Sequence, residues 1–454
     1  MINYFKYNKH KLAAIIVTGE VIVGQGLRLL SNLILTRLLI PEMFGVMMIA
    51  LVFLIGITML SDLGLREKFI QSPNAEKQEF IDTCWSMQVI RGVVITLLTL
   101  IFSFCLYLFG VAGYINENSA YAAPELPLLI AFFGFTALLN GFNSIGIYYH
   151  YRKVNLYVLA KISLISQLVG TILMLVAAFY YREIWVLLIS PVLAAIIKLC
   201  LSYSYASDIR ANFRLDKECL IEIISFSKWI FIGSVLSYLS INADRLLLGG
   251  FLSTAELGVF SVAFMLSMAA KDLFSKIIKD VAYPKLTHVA RIMPEKFKDT
   301  MYSLRLKIDF ITWSIAGFMF GFGSVFVTVL YDERYSDAGW MLEILSISLI
   351  FVGFRVNQQA IMALGKSFIF AFINAVGALY VILAIPAAYY FLSIEWVIFS
   401  IAIKAISSIP LLLYFQYKYN MLNLIKEIRM LPMFFISYFL GLYFKEIFTN
   451  LWNL

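Results

Sequence analysis

The chain has 454 residues, 61% of them hydrophobic and 14% charged, with a formal net charge of +8 and a mean hydropathy of +0.86. Soluble domains carry roughly a quarter of their residues as charges, so a water-soluble globular protein is excluded. The positive balance does not imply nucleic acid, because most cations fall in short segments on one side of a series of apolar runs.

Those runs lie near the ~20 residues that a helix needs to cross ~30 Å of hydrocarbon. In chain order they predict spans at Leu12–Leu35, Phe44–Leu60, Thr83–Phe109, Pro127–Tyr149, Tyr157–Tyr180, Ile184–Ala206, Ser225–Gly249, Leu257–Ala282, Leu306–Leu330, Gly339–Ala363, Ile369–Leu392 and Ile394–Tyr417. Met1–Lys11, with Lys6, Lys9 and Lys11, imitates the start of a signal peptide. The apolar stretch that follows is too long for an h-region, contains Glu20, Gln25 and Arg28, and lacks a small-residue cleavage site, so it reads as a retained first span. With the N-terminus inside, the predicted cytoplasmic segments hold about 21 Lys and Arg and the outer loops only Arg37, Arg182 and Arg334, the asymmetry of the positive-inside rule. The expected location is the bacterial inner membrane.

The charged segment Ser207–Ile224 separates six spans from six. It divides the chain into an N-terminal lobe (1–206), a cytoplasmic linker (207–224), a C-terminal lobe (225–418) and a tail (419–454). The lobes echo each other: Thr36–Val46 and Ser253–Val259 both place Glu, a hydrophobe, Gly and Val at the start of a returning helix. An even number of spans between the copies makes this a parallel repeat, related by an axis along the membrane normal. The tail's apolar Leu431–Phe444 is open to three readings: a thirteenth span, a re-entrant piece or an interfacial helix. Cys84, Cys105, Cys200 and Cys219 lack metal or disulfide spacing and read as packing residues. His10, His150 and His288 are scattered, and no metal site or cofactor follows.

A charge at mid-bilayer costs roughly 2.5–3.5 kcal/mol, so ionisable groups inside spans are functional candidates. Cations outnumber anions among them. At 100° per residue, Glu20, Gln25, Arg28 and Asn32 share about 140° of span 1, and Ser234, Tyr238, Asn242 and Arg245 share about 80° of span 7. Lys271, Asp272, Lys276 and Lys279 share one side of span 8. Such stripes predict a hydrated, cationic cavity lined by spans 1, 7 and 8. Arg28, Lys271 and Arg355 are its main expected ligands, with Arg91, Arg245 and Lys276 as further cations and Gln25, Asn32, Tyr238, Asn242 and Gln359 as polar lining. Glu20, Asp244 and Asp309 are candidates for coupling to Na⁺ or H⁺. The competing reading makes Asp272–Lys276 and Lys276–Asp280 self-neutralising i,i+4 pairs, and Lys161, Lys198, Lys228 and Lys279 headgroup anchors. A cationic surplus suits a phosphate or pyrophosphate, which Arg grips by two hydrogen bonds and Lys as a point charge. Walker A, GxSxG and HExxH motifs are absent, so an enzyme is not expected.

Leu35-Thr36-Arg37-Leu38-Leu39-Ile40-Pro41-Glu42-Met43-Phe44-Gly45, then Leu60-Ser61-Asp62-Leu63-Gly64-Leu65 and Phe69-Ile70-Gln71, resembles the opening of the oligosaccharide flippases. These form the polysaccharide-transport family of the superfamily that also holds multidrug extruders and the lipid II flippase. Phe226-Ser227-Lys228-Trp229, Asp244-Arg245-Leu246-Leu247-Leu248-Gly249 and Leu257-Gly258-Val259-Phe260 resemble the start of that family's second half. The resemblance implies an all-α fold of two six-helix lobes with pseudo-two-fold symmetry around a central cavity. It also implies alternating access, and as substrate an oligosaccharide on undecaprenyl pyrophosphate carried to the periplasmic leaflet. A monomer working beside a glycan polymerase is the expected assembly. Many relatives have a further helix pair at the C-terminus, where this chain shows at most one extra apolar segment. The alternatives are a cation-coupled drug exporter of the same superfamily and a membrane enzyme of glycan assembly, a polymerase or acyltransferase.

Overall fold

The structure, a computed structural model, describes residues 2–60, 64–153, 155–206 and 209–452; side chains at 2–15, 17–18, 60, 226–233, 367 and 452 are outside the described set. Ser61, Asp62 and Leu63 of the first motif, Ser207 and Asp208 of the linker, and the side chains of Lys6, Lys9, Lys11, Phe226, Ser227, Lys228 and Trp229 therefore lie outside the described residues. The chain divides into two compact units, Met1–Tyr238 with Leu252–Thr254, and Leu239–Phe251 with Ala255–Leu454.

Unit 1 is built from α1 (Ile2–Leu38), α2 (Pro41–Leu60), α3 (Leu65–Gln71), α4 (Gln78–Val111), α5 (Leu126–Gly141), α6 (Gly146–Arg152), α7 (Leu156–Tyr180), α8 (Val186–Tyr205) and the first part of α9 (Lys217–Phe251). Pro41 opens α2, where its missing N–H is not needed. Gly64, at φ 60°, supplies the left-handed residue before α3. The fourth predicted span is not one straight helix: α5 and α6 meet at 67°. Gln88 of α4 donates from Nε2 to the carbonyls of Gly141 and Asn143, 2.9 Å each, and so satisfies backbone that the break exposes. Gly92 and Gly141 let α4 and α5 touch, since a Cβ on Gly92 would fall 2.9 Å from the Cα of Gly141.

Helices overrun their predicted ends on the polar side. α4 begins at Gln78 rather than Thr83, and α9 at Lys217 rather than Ser225. Hydropathy marks where hydrocarbon begins, whereas a helix ends where its N–H groups find a cap. For α9 the cap is Asp216, whose Oδ1 accepts from the N–H groups of Glu218 and Cys219 at 3.1 and 3.0 Å. The preceding linker is strapped onto α4: Asn212 N–H donates to Asp82 Oδ1 (2.8 Å), Arg214 N–H to Ser86 Oγ (2.8 Å) and Asp216 N–H to Thr83 Oγ1 (3.0 Å). Glu222, one turn into α9, pairs with Lys68 of α3 at 2.9 Å.

Unit 2 continues with the rest of α9, then α10 (Thr254–Ile277), a π turn at Ile278–Ala282 and α11 (Tyr283–Ile292). After α12 (Phe297–Leu330), the tenth predicted span is α13 (Ala338–Ser346) and α14 (Phe354–Ala363), separated by a 3₁₀ stretch at Ile347–Phe351. α14 stops at a left-handed Gly365 (φ 77°), with Lys366 N–H returning to the Ile361 carbonyl. α15 (Ser367–Phe391), α16 (Ile394–Ile403), α17 (Ile409–Lys418), α18 (Leu424–Ile428) and α19 (Leu431–Trp452) complete the unit. The tail is thus helical throughout its apolar stretch. α19 lies along α12: a Cβ on Gly317 would collide with the Phe434 carbonyl oxygen, and one on Gly441 would meet that of Phe318 at 2.6 Å. Close approach through small residues is how helices pack where lipid removes the hydrophobic incentive.

Among the described residues, eleven helical runs are long and apolar enough to cross a membrane, twelve with the bent α5–α6 pair, and the run containing α19 is one of them. The chain is a multi-pass, all-helical membrane protein.

Candidate functional site

Each unit carries its own polar assembly. In unit 1, a cavity of about 670 Å³ is walled by α1, α3, α4, α5, α6, α7 and α8. Its cations are Arg66, Arg91 and Lys198, its carboxylates Glu20 and Glu67, and its neutral donors and acceptors include Asn140, Ser163 and Gln167. Arg66 is committed to Glu67 (2.5 Å) and lies 5.4 Å from the Tyr151 ring. Arg91 Nη2 donates to the Thr58 carbonyl at 3.1 Å. Gln167 Nε2 donates to the Gly24 carbonyl at 3.1 Å, which ties α7 to α1 beside the cavity. Lys198 lines this space, and Lys161, from the same expected set of headgroup anchors, lies over the Tyr205 ring at 4.2 Å.

In unit 2 the charges gather on α9, α10, α14 and the 3₁₀ turn that starts at Lys404. Lys271 is 9% exposed, and among the described residues no hydrogen bond or ion pair reaches its ammonium. The charges acting on it are Arg355, Asp244, Lys404 and Asp272. Arg355 donates from Nη1 to Ser275 Oγ, and Ser275 in turn donates to the Lys271 carbonyl. Lys404 donates to the Ser240 carbonyl. Arg245 is held locally, donating to the Ile241 carbonyl at 3.0 Å, 3.7 Å from Asp244 and 4.7 Å from the Phe264 ring centroid. Neither Asp272–Lys276 nor Lys276–Asp280 closes into an ion pair among the described residues, so the self-neutralising pairs expected from spacing do not form. Lys271, Arg355 and Lys404, with Asp244 and Asp272, make a cluster in which cations outnumber carboxylates.

The expected site residues separate accordingly. Glu20 and Arg91 line the unit 1 cavity, whereas Arg28, Gln25 and Asn32 of α1 are not in its wall, and Arg28 is exposed. Tyr238 proves to be a packing residue: it is buried, its hydroxyl donates to the Val52 carbonyl at 3.2 Å, and its ring fills the space left by Gly56. Asn242 is buried, while Gln359 and Lys276 are half-buried in unit 2. Asp309 stands apart from Lys271, paired with Arg305 at 3.0 Å in a buried cluster with Glu427. Arg305 and Glu427 were not foreseen as site residues, whereas Lys404 counted among the ionisable groups inside spans. The i,i+4 spacing of Arg305 and Asp309 was a visible signal, but nothing local pairs either with a residue more than a hundred positions later.

The chain is 22% identical over 314 residues to the teichuronic acid biosynthesis protein TuaB of Bacillus subtilis, covering 67% of this chain and 61% of that protein. It is 22% identical to the lipopolysaccharide biosynthesis protein WzxC of Escherichia coli (73% and 64% covered) and 21% identical to the succinoglycan biosynthesis transport protein ExoT of Rhizobium meliloti (71% and 63%). It thus spans less than two thirds of the length of these curated relatives. Among solved structures it resembles an inward-facing multidrug resistance MATE transporter of the MOP superfamily, with TM-score 0.69 at 14% identity over 90% of this chain and 98% of that one. The lipid II flippase MurJ in an inward closed conformation gives TM-score 0.68 at 14% identity, over 97% and 98%. The fold is therefore that of MOP-superfamily transporters. With a match to the family model described as "Polysaccharide biosynthesis protein" across residues 34–340, more than half of its length, the chain belongs to that family.

Proposed function

We propose that the chain is a flippase that moves oligosaccharide repeat units linked to undecaprenyl pyrophosphate from the cytoplasmic to the periplasmic leaflet. Alternating access is the mechanism, and O-antigen, capsule or exopolysaccharide assembly the purpose. The observation that carries this reading is Lys271, a buried ammonium without a partner among the described residues, beside Arg355 and Lys404. Lys271, Arg355 and Lys404 against Asp244 and Asp272 leave a positive surplus, which is costly in a membrane protein unless an anion arrives to meet it, and pyrophosphate is such an anion. Taken by itself, the unit 1 cavity presents amide, hydroxyl and carboxylate groups beside the rings of Tyr148 and Tyr151, the kinds of group that bind sugars. The names of the relatives, for teichuronic acid, lipopolysaccharide and succinoglycan, support a polysaccharide cargo. In this reading the protein is not an enzyme, works as a monomer in the inner membrane with its N-terminus in the cytoplasm, draws on Na⁺ or H⁺, and delivers its cargo to a glycan polymerase.

The test is complementation of a strain lacking the gene with Lys271→Ala, Lys271→Arg and wild type at matched protein level. Surface polysaccharide falls with Lys271→Ala and is largely kept with Lys271→Arg. Equal polysaccharide from all three overturns the anion-binding role. Drug resistance on overexpression, dependent on Glu20 or Asp244 rather than on Lys271, would instead identify a drug exporter. Accumulation of untranslocated lipid-linked units in the null strain separates transport from a polymerase or acyltransferase defect, which leaves units on the periplasmic side.

A further inference from the structure

Asp82, Thr83 and Ser86, at the foot of α4, sit on the wrong side of their helix for polar residues. At 100° per residue they share roughly 120° of α4 with Val93, Val94, Leu97, Ile101 and Phe104. Those five apolar side chains are exposed, as the face that meets lipid must be. Asp82, Thr83 and Ser86 are nonetheless buried, because the segment 209–216 lies over them and bonds to each. The strap therefore runs along the lipid side of α4.

The same bonds fix its depth. Ser86 Oγ accepts from the Arg214 N–H at 2.8 Å and returns its own hydroxyl to the Arg214 carbonyl at 3.0 Å. The apolar run of α4 begins at Thr83, so the strap is held where hydrocarbon starts rather than out in water. Main chain at that depth needs partners from the protein, and it has them: Gln78 Nε2 donates to the Arg210 carbonyl at 2.9 Å, and the N–H groups of Asn212 and Asp216 reach Asp82 and Thr83. Ala211 packs against the cluster that holds Leu65, Phe69 and Phe80. Phe213 and Leu215 do not: they are 63% and 45% exposed, and Ile221 and Ile224 on the first turns of α9 extend the exposed apolar patch. Arg210 and Arg214 flank Phe213, both exposed, and no ion pair or hydrogen bond engages either guanidinium among the described residues. Aromatic and aliphatic groups beside long free cations suit a bilayer surface, where the apolar groups enter the headgroup–acyl boundary and the guanidiniums reach phosphate.

We propose that the segment 209–216 is an interfacial anchor that seats unit 1 in the nearer leaflet, the cytoplasmic one in the orientation given above. Phe213 and Leu215 enter the upper acyl chains, and Arg210 and Arg214 bind phospholipid phosphates. The anchor lies outside both polar assemblies described above, so it stands or falls apart from the cargo.

The experiment uses the full chain, freed of its four native cysteines and reconstituted into vesicles of phosphatidylethanolamine and phosphatidylglycerol. Spin labels on Phe213→Cys and Leu215→Cys should collide with oxygen more than with a water-soluble nickel chelate, and report a depth of about 5–10 Å into the headgroup–acyl boundary. Leu97→Cys marks hydrocarbon and Lys77→Cys marks water. Arg210→Gln with Arg214→Gln should shift both strap labels toward the nickel chelate; an unchanged depth overturns the phosphate contacts. Nickel access at 213 and 215 equal to that at 77 overturns the anchor. So does poor access to both reagents, which assigns the patch to a contact with protein. Should the cysteine-free chain fail to fold, benzoylphenylalanine in place of Phe213 in the otherwise native chain decides. Ultraviolet light should then give a phospholipid adduct by mass spectrometry, and a cross-linked dimer or an unmodified chain overturns the proposal.

Discussion

Replacing Arg305 by Met tests the buried cluster most directly. The substitution keeps an unbranched apolar stem but removes the donors to Asp309 and Glu427 and the guanidinium that lies 4.1 Å from the Phe354 ring centroid. Both carboxylates then remain in the core, at 2% and 4% exposure, without the charge that faces them. Breaking a buried pair by removing one partner typically costs about 3–5 kcal/mol, because an uncompensated charge is left behind. For a unit of roughly two hundred residues, 1 kcal/mol corresponds to about 2–4 °C in Tm, so the expected fall is on the order of 10 °C. Thermal unfolding in detergent, followed by circular dichroism, measures it. The coupling is as informative as the fall. Adding Asp309→Asn and Glu427→Gln to Arg305→Met should recover much of the loss, whereas independent sites would add to it. A Tm within a degree of wild type for Arg305→Met, or a triple variant no better than the single one, would refute the assignment of this cluster as a charge-coupled core.

Three further outcomes are expected. Gly321→Val drives a side chain into the Tyr438 carbonyl oxygen, which lies only 2.7 Å from where a Cβ on residue 321 must sit; overpacking of about 1–3 kcal/mol should part α19 from α12, and a cysteine probe at Tyr438 should then label faster. Gln88→Ala strips two carbonyls at the α5–α6 break of their donor, a loss of about 1–3 kcal/mol for groups left unsatisfied, read as a lower Tm that Gln88→Asn does not restore because its amide is one methylene too short. The strap should weaken in acid. Lys68 first, then Ser72 and Asn74, hold the Glu222 carboxyl below its ordinary 4.5, and the N–H groups of Cys219 and Glu218 hold Asp216 below 3.8. A carboxylate with a depressed folded pKa stabilises fully above its unfolded value and loses that contribution as pH falls through the folded one. Proteolysis between residues 209 and 217 should therefore be flat from pH 5 to 8 and rise only below about pH 4.5; a rise near neutrality would point to a different titrating group.

Hydropathy was enough to read the membrane class, and the motif around Thr36–Gly45 was enough to read the family. Apolar length also anticipated most helices, because hydrocarbon thickness selects it directly. The breaks were missed. Asn140-Gly141-Phe142-Asn143-Ser144 carries turn-forming residues inside the run read as the fourth span, and Gln88, about fifty residues earlier, and Ser202, about sixty later, satisfy backbone groups at the bend. Of the residues picked from angular stripes, Glu20 lines the unit 1 cavity and Lys271 is buried in unit 2, whereas Tyr238 packs inside unit 1. A stripe reports which residues share a helix face, not which partner that face meets, and Gly56 with the Val52 carbonyl had already claimed the Tyr238 ring and hydroxyl. Asp309 was legible as an intramembrane carboxylate. Its companions were not, since Glu427 belongs to a segment whose docking depends on long-range contacts that no local pattern encodes.

The strap over α4 bears on how such a protein can be handled. Engineers seeking a place for a fluorescent insert, a protease site or a split between co-expressed halves would choose the charged stretch near position 212, since exposed polar connections usually accept additions. Here the main-chain N–H groups of Asn212, Arg214 and Asp216 are each occupied by a side chain of α4. An insertion would shift their register and release three bonds together. The turn at Ala112–Tyr114 is exposed, and its N–H groups bond only to carbonyls of the helix it ends, so it is the better point of entry.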